Sequence, residues 1–171
     1  AMYRAITFFA MKSGLISKHF LDKQTLVNSL STLQIKFVFN ADLGFAETYL
    51  NSENVEKQIR TLEVSQFVSL VAEISEVRAK LVEQQKEMGK NKAIVMDGRD
   101  IGTVVFANAE LKIFMTASTE TRAQRRYDEL LEKGEKVTLE EVLENVQNRD
   151  YVDTHRDDSP LVMAEDAIEI D

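Results

Sequence analysis

The 171 residues carry 21 Lys and Arg against 29 Asp and Glu, a formal net charge of −8, with 44% hydrophobic residues and no cysteine. An acidic surface argues against a general nucleic-acid binder, and the apolar fraction argues against a disordered chain. Without cysteine there are no disulfides, thiolate metal sites or cysteine nucleophile, and no apolar run approaches the roughly 20 residues of a membrane span.

The length suits one domain, or one domain with a small insert. Ala1-Met2-Tyr3-Arg4 lacks the basic-then-apolar pattern of a secretory leader. Met2, Ala5, Ile6, Phe9 and Ala10 form one apolar stripe at helical spacing, and Ser13-Gly14 should end that helix. A second helix is expected over about residues 22–33. Residues 34–50 then read as a hairpin, with turn chemistry in Asn40-Ala41-Asp42-Leu43-Gly44. Residues 54–88 are helical in pattern, with Ile59, Leu62, Phe67, Leu70, Val71, Ile74, Val77 and Leu81 as the buried face. Ser75 is a candidate internal cap and Gly89 a stop.

Two short apolar runs follow, 93–96 and 111–117. Both read as buried strands with polar residues at their C-terminal ends. Ser118 or Thr119 should cap the next helix and Gly134 should lie just past its end. Thr138 and Glu141 form a capping box ahead of a core face of Leu139, Val142, Leu143 and Val146. Residues 167–170 are a final strand. Strands alternating with helices imply an α/β fold with a parallel sheet.

Ligands in open parallel sheets bind beyond the carboxyl ends of the strands. Asp97-Gly98-Arg99-Asp100 sits at that edge, with Gly98 allowing a sharp turn and Arg99 and Asp100 free to project. Arg122, Arg125 and Arg126 share a helix face at i, i+3 and i+4. Arg149, Asp153 and Arg156 share another if the segment is helical. A single such arginine would be read as a solvated surface pair of little value. The joint pattern points to an anion site, because guanidinium grips phosphate oxygens bidentately and fixed cations stabilise a transferring phosphoryl group. The run 149–158 is too charged for an apolar core helix, so it reads as a solvent-facing connector or a mobile element over a site. His155 reads as a surface residue. His19 and His155 lie far apart, and no metal-binding motif is present. The phosphate-cradling string G-x-x-x-x-G-K-[ST] is absent, and Met88-Gly89-Lys90-Asn91 does not supply it.

Asp97-Gly98-Arg99-Asp100-Ile101-Gly102-Thr103-Val104-Val105-Phe106 followed by Leu111-Lys112-Ile113-Phe114 resembles the bacterial cytidylate kinase family. So do Ala1 to Ala5, Ile59 to Val64, Arg149-Asp150-x-x-Asp153-x-x-Arg156, Pro160-Leu161 and Ala167-Ile168. The resemblance implies a P-loop nucleoside-monophosphate-kinase fold: a parallel sheet flanked by helices, a monophosphate-binding insert and a short lid. Residues 1–33 would be core helices, 34–88 the insert, and 89–171 core with the lid at about 120–158. Insert and lid are expected to close over substrate.

The activity implied is phosphoryl transfer from ATP to CMP or dCMP, with Mg²⁺, by a cytoplasmic monomer that binds neither nucleic acid nor membrane. By resemblance, Tyr3 and Arg4 lie near the acceptor phosphate, and Ser69 and Arg78 read the cytosine edge. Asp100, with Arg99 beside it, serves CMP binding. Arg149 and Arg156 contact the nucleotide, and Asp153 takes a sugar hydroxyl. Arg122, Arg125 and Arg126 approach the transferring phosphate, with Arg99 as a further catalytic candidate. No protein ligand for a metal is implied.

The family's first strand, P-loop and following helix would lie upstream of Ala1, and a further helix beyond Asp171. The expectation is therefore a truncated kinase, inactive alone, in which three of five core strands can be placed. Other readings are a kinase specific for another monophosphate such as UMP, a non-catalytic nucleotide- or anion-binding module, or a helical interaction protein built on residues 54–88.

Overall fold

In the computed structural model, which describes residues 1–171, the first apolar stripe forms helix α1 (Met2–Lys12). It buries Met2, Ala5, Ile6 and Ala10, while Phe9 remains half-buried. Thr7 is buried too, and satisfies its hydroxyl by donating to the Tyr3 carbonyl at 2.8 Å. Gly14, just beyond the Ser13 cap, takes the left-handed conformation that side chains resist (φ +68°). The chain divides into two units, Ala1–Leu81 and Val82–Asp171.

In the first unit a small hairpin, β1 (Ile16–Ser17) and β2 (Phe20–Leu21), precedes α2 (Lys23–Ser29). Its two-residue strands are too short to leave a periodic signal. Asp22 caps α2 by accepting from the Thr25 amide at 2.9 Å. A tight 3₁₀ turn, Leu30–Thr32, completes the expected helix. Strands β3 (Ile35–Asn40) and β4 (Phe45–Leu50) form the expected antiparallel hairpin, pairing Ile35 with Leu50 and Asn40 with Phe45. The Asn40 side chain accepts from the Asp42 and Leu43 amides and shapes the loop. Strand β5 (Glu53–Asn54) adds to β4.

The helix expected over 54–88 is three pieces: a 3₁₀ turn (Gln58–Arg60), α3 (Leu62–Ala72) and α4 (Ser75–Met88). The division at Ser75 follows the sequence reading. Leu70 corrects it. This residue is exposed, because the buried seam of α3 runs through Val64, Val68 and Val71 at i, i+4 and i+7. α1 packs on α3 and on the 58–60 turn. Full burial of side chains such as Ile6, Leu26 and Ile59 contributes about 1.5–3 kcal/mol each.

In the second unit the expected strand at 93–96 does not form. A strand exists only through a ladder partner, and this segment has none. Lys92 and Ala93 turn the chain with positive φ (55° and 53°), and Ile94 and Val95 are exposed. Residues 101–105 make one wide π-helical turn, in which the Asp100 carbonyl accepts from the Val104 and Val105 amides.

Strands β6 (Ile113–Met115) and β7 (Ile168–Ile170) pair in parallel, Ile113 opposite Ile168 and Met115 opposite Ile170. The run 111–117 reads as a buried strand, but Ile113 and Met115 are exposed, as are Ile168 and Ile170 on β7, since no second layer covers these side chains. Lys112 reaches the Ala107 carbonyl and the Asp166 carboxylate, tying the segments that flank β6. Ser118 caps α5 (Thr119–Glu132), and Gly134 (φ +79°) lies just past its end. The predicted capping box opens α6 (Leu139–His155), with both reciprocal bonds made. Leu139 corrects its expected core face: Val142 is buried and Leu139 is exposed. α5 packs against α6.

Candidate nucleotide-binding groups

In the first unit α1, α3 and α4 bring three of the sequence-selected residues, Tyr3, Arg4 and Arg78, to two small clusters. Arg78 is almost wholly buried, donates from Nη1 to the Ala72 carbonyl at 3.2 Å, and lies 5.6 Å from the centre of the Tyr3 ring. A guanidinium over an aromatic face at that range is held by a cation–π attraction that strengthens as water is excluded. Arg4 donates to the Ile59 carbonyl at 3.0 Å and to the Ser65 hydroxyl at 3.3 Å. Ser69, one turn beyond Ser65 on α3, is buried. Ser65 carried no signal of its own in the sequence; only its position one turn before Ser69 could have drawn notice.

A buried carboxylate steadies this unit. Glu56 accepts from the Thr48 amide and hydroxyl (3.0 and 2.6 Å) and from Arg60 at 2.8 Å. Burial pushes its pKa up, but the bonds from Thr48 and Arg60 outweigh that and hold it below the ordinary glutamate value.

In the second unit the arginines converge. Arg99 donates from Nε to Asp153 Oδ2 at 2.9 Å, and Arg156 Nη1 lies 3.4 Å from Asp153 Oδ1. Asp153 and Arg156 are both buried, 3% and 7% exposed. The run 149–158 is therefore neither a connector nor wholly solvent-facing. It is the last turns of α6 and its cap, with one side turned inward. Arg156 also donates from Nε and Nη2 to the Ser159 carbonyl.

Arg149 sits among charges. Its guanidinium is held below the usual arginine value, first by burial and then by the like charges of Arg99 and Arg126, against the carboxylates of Asp153 and Asp150.

The three arginines of α5 separate. Arg126 is half-buried and donates to Glu129 at 2.6 Å; Arg125 is exposed. Arg122 uses all three nitrogens: Nε to the Ala117 carbonyl (3.1 Å), Nη2 to the Thr119 hydroxyl (3.0 Å) and Nη1 to Asp150 (2.7 Å). Asp150 was not selected from the sequence, although it stands beside Arg149 in the charged run. Glu129 was missed as well; it also pairs with Lys133 four residues on.

Asp100 is buried at the start of the π-helical turn. Gly98 has no positive φ. A Cβ there would meet the Ile101 side chain at 2.7 Å, so a larger residue would force that side chain to move. His155 is exposed, as expected, and stacks on Tyr151. No group of three His, Asp or Glu side chains is placed to hold a metal ion, and no helix is long and apolar enough to cross a membrane.

A family model described as cytidylate kinase matches residues 1–171. The chain is 71% identical over 171 residues to a cytidylate kinase of Flavobacterium johnsoniae, covering all of this chain and 74% of that one. It is 64% identical to a cytidylate kinase of Flavobacterium psychrophilum, of which it covers 76%, and 50% identical to one of Bacteroides thetaiotaomicron, of which it covers 75%. The mixed α/β architecture is that of a P-loop kinase-like protein, a phosphotransferase acting on a nucleoside monophosphate. The chain belongs to the cytidylate kinase family.

Proposed function

We propose that this chain serves the transfer of a phosphoryl group from ATP to CMP or dCMP, giving ADP and the nucleoside diphosphate. Its membership of the cytidylate kinase family over all 171 residues carries that reading. In the transfer an oxygen of the acceptor phosphate bonds to the γ-phosphorus while the bond from that phosphorus to the β,γ-bridging oxygen breaks, and the oxygen leaves with ADP, keeping the electron pair. Such a reaction asks of the protein mainly position and fixed positive charge.

The assignments are made residue by residue. Ser69 and Arg78 read the carbonyl and ring nitrogen of cytosine, and Asp100 serves CMP binding. Tyr3 fixes the Arg78 guanidinium from below, and Arg4 faces the acceptor phosphate. Arg149 and Arg156 hold the nucleotide, and Asp153 takes a sugar hydroxyl. Arg99, Arg125 and Arg126 stabilise the transferring group directly, while Arg122 supports it through the packing of α5 on α6. The gathering of Arg99 and Arg156 on the Asp153 carboxylate, with Arg149 one turn before it on α6, supports this reading, because guanidinium grips phosphate oxygens bidentately. Residues 34–88 are assigned to a monophosphate-binding insert and 120–158 to a lid, both closing over substrate.

Mg²⁺ enters with ATP, as the counter-ion of its phosphates. The same reading places the enzyme in the cytoplasm, as a monomer acting on free nucleotides.

Calorimetric titration tests the acceptor side. Leaving a buried polar group unpaired costs about 1–3 kcal/mol, so CMP should bind at least about tenfold more tightly than UMP. Arg149→Ala should abolish the CMP signal. Equal binding of CMP and UMP, or no binding of either, would overturn the assignment.

A further inference from the structure

Arg122 and Asp150 make a direct ion pair between α5 and α6. Arg122 spends Nε and Nη2 on the Ala117 carbonyl and the Thr119 hydroxyl at the start of its own helix. Only Nη1 reaches away from it, to Asp150 Oδ2 at 2.7 Å. The guanidinium fork is rigid and planar, so fixing two of its nitrogens also fixes where the third must point. Both side chains are partly shielded, 37% and 29% exposed, which makes the pair stronger than a fully solvated one.

The two helices joined in this way carry the arginines of the cluster. Arg126 lies one turn along α5 from Arg122, and Arg149 precedes Asp150 on α6. The like charge of Arg126 acts on Arg149, and the Asp150 carboxylate opposes it. The Arg122–Asp150 bridge joins the two packed helices one turn from Arg126 and one residue from Arg149.

We propose that Asp150 is a positioning residue for the phosphate-binding arginines. Through Arg122 it locks α5 to α6, so that the helix turns bearing Arg126 and Arg149 stay together for the nucleotide's phosphate. The inference rests on the nucleotide reading given above and assigns a role to a residue outside the set that reading uses. Asp150 itself touches no substrate.

The test separates grip on the phosphate from grip on the nucleoside. Wild-type chain, Asp150→Asn and Arg122→Lys are titrated with CMP and with cytidine, and their thermal midpoints are measured alongside. Asn preserves the shape of Asp but not its charge. Lys preserves the charge of Arg but supplies one donor nitrogen in place of three. Each variant should lose about tenfold in CMP affinity, while its affinity for cytidine stays at the wild-type value. A variant that keeps the wild-type ratio of CMP to cytidine affinity overturns the proposal. So does one that loses both ligands alike, since that marks a purely structural role. Should the wild-type chain itself bind CMP no better than cytidine, the nucleotide reading fails first and this proposal with it; that outcome is distinct because it requires no variant.

Discussion

The two units solve the problem of cohesion in opposite ways. Ala1–Leu81 is built around apolar packing, with α1, α3 and the base of the hairpin closing over Ile6, Leu26, Ile59, Val64 and Val71. In Val82–Asp171 the buried apolar side chains are only Val105, Ala123, Leu130 and Val142. Its strands expose their isoleucines, and charged bonds such as Arg99–Asp153, Arg122–Asp150 and Lys112–Asp166 tie its elements together. The contrast is instructive because the second arrangement also creates the anion-binding potential. Positive charge gathered for a ligand must be held in place by carboxylates when the ligand is away, and those carboxylates then become part of the architecture.

The contrast can be broken most directly at Asp153. Replacing it with Ala leaves buried Arg156, and exposed Arg99, without their shared acceptor. Removing one partner of a buried pair costs about 3–5 kcal/mol. A large drop in the denaturation midpoint, together with loss of CMP binding, is expected. A midpoint within a degree of wild type would show that the second unit is held by something else.

A paired substitution sharpens the comparison next. Ile6→Ala, in the packed unit, should cost about 2–5 kcal/mol in urea unfolding, whereas Ile168→Ala, on the exposed sheet, should change stability by less than about 0.5 kcal/mol. Equal effects would erase the distinction between the units.

The third prediction concerns Glu56, the one place where the apolar unit relies on a buried carboxylate. Glu56→Gln should cost about 1–3 kcal/mol at neutral pH, as Thr48 and Arg60 lose a charged acceptor. The native pKa of Glu56 is lowered. Its contribution is therefore complete above the ordinary value of 4.5 and is lost as pH falls through the depressed native value. Wild type and variant should converge in stability on acidification below 4.5. A difference that persists unchanged to low pH would remove Glu56 from the acid transition.

Local chemistry made much of this molecule legible. The stripe of α1, the Asn40–Gly44 turn, the Ser118 cap and the Thr138–Glu141 box each involve residues within a few positions of one another, and each stands where the sequence places it. Features settled by distant partners were not legible. The run at 93–96 has the composition of a strand but no ladder to join, and Leu70 has helical spacing but falls beside the buried seam.

The candidate site divides along the same line. The spacing of Arg122, Arg125 and Arg126 marks a basic face, but only the tertiary structure shows that Arg122 bridges to Asp150, Arg126 pairs with Glu129 and Arg125 is exposed. Asp150 passed unremarked because its meaning lies in a side chain 28 positions earlier.

The double occupation of Asp153 has a consequence for discrimination between ribose and deoxyribose. Each of its oxygens already has a guanidinium near it. A carboxylate oxygen can accept two hydrogen bonds, so a sugar hydroxyl assigned to this carboxylate would add to the guanidiniums without displacing either. An acceptor lacking that hydroxyl would leave Asp153 still held by Arg99 and Arg156. Tolerance toward both pentoses would then follow from the resting ion pairs, with no separate device to enforce it.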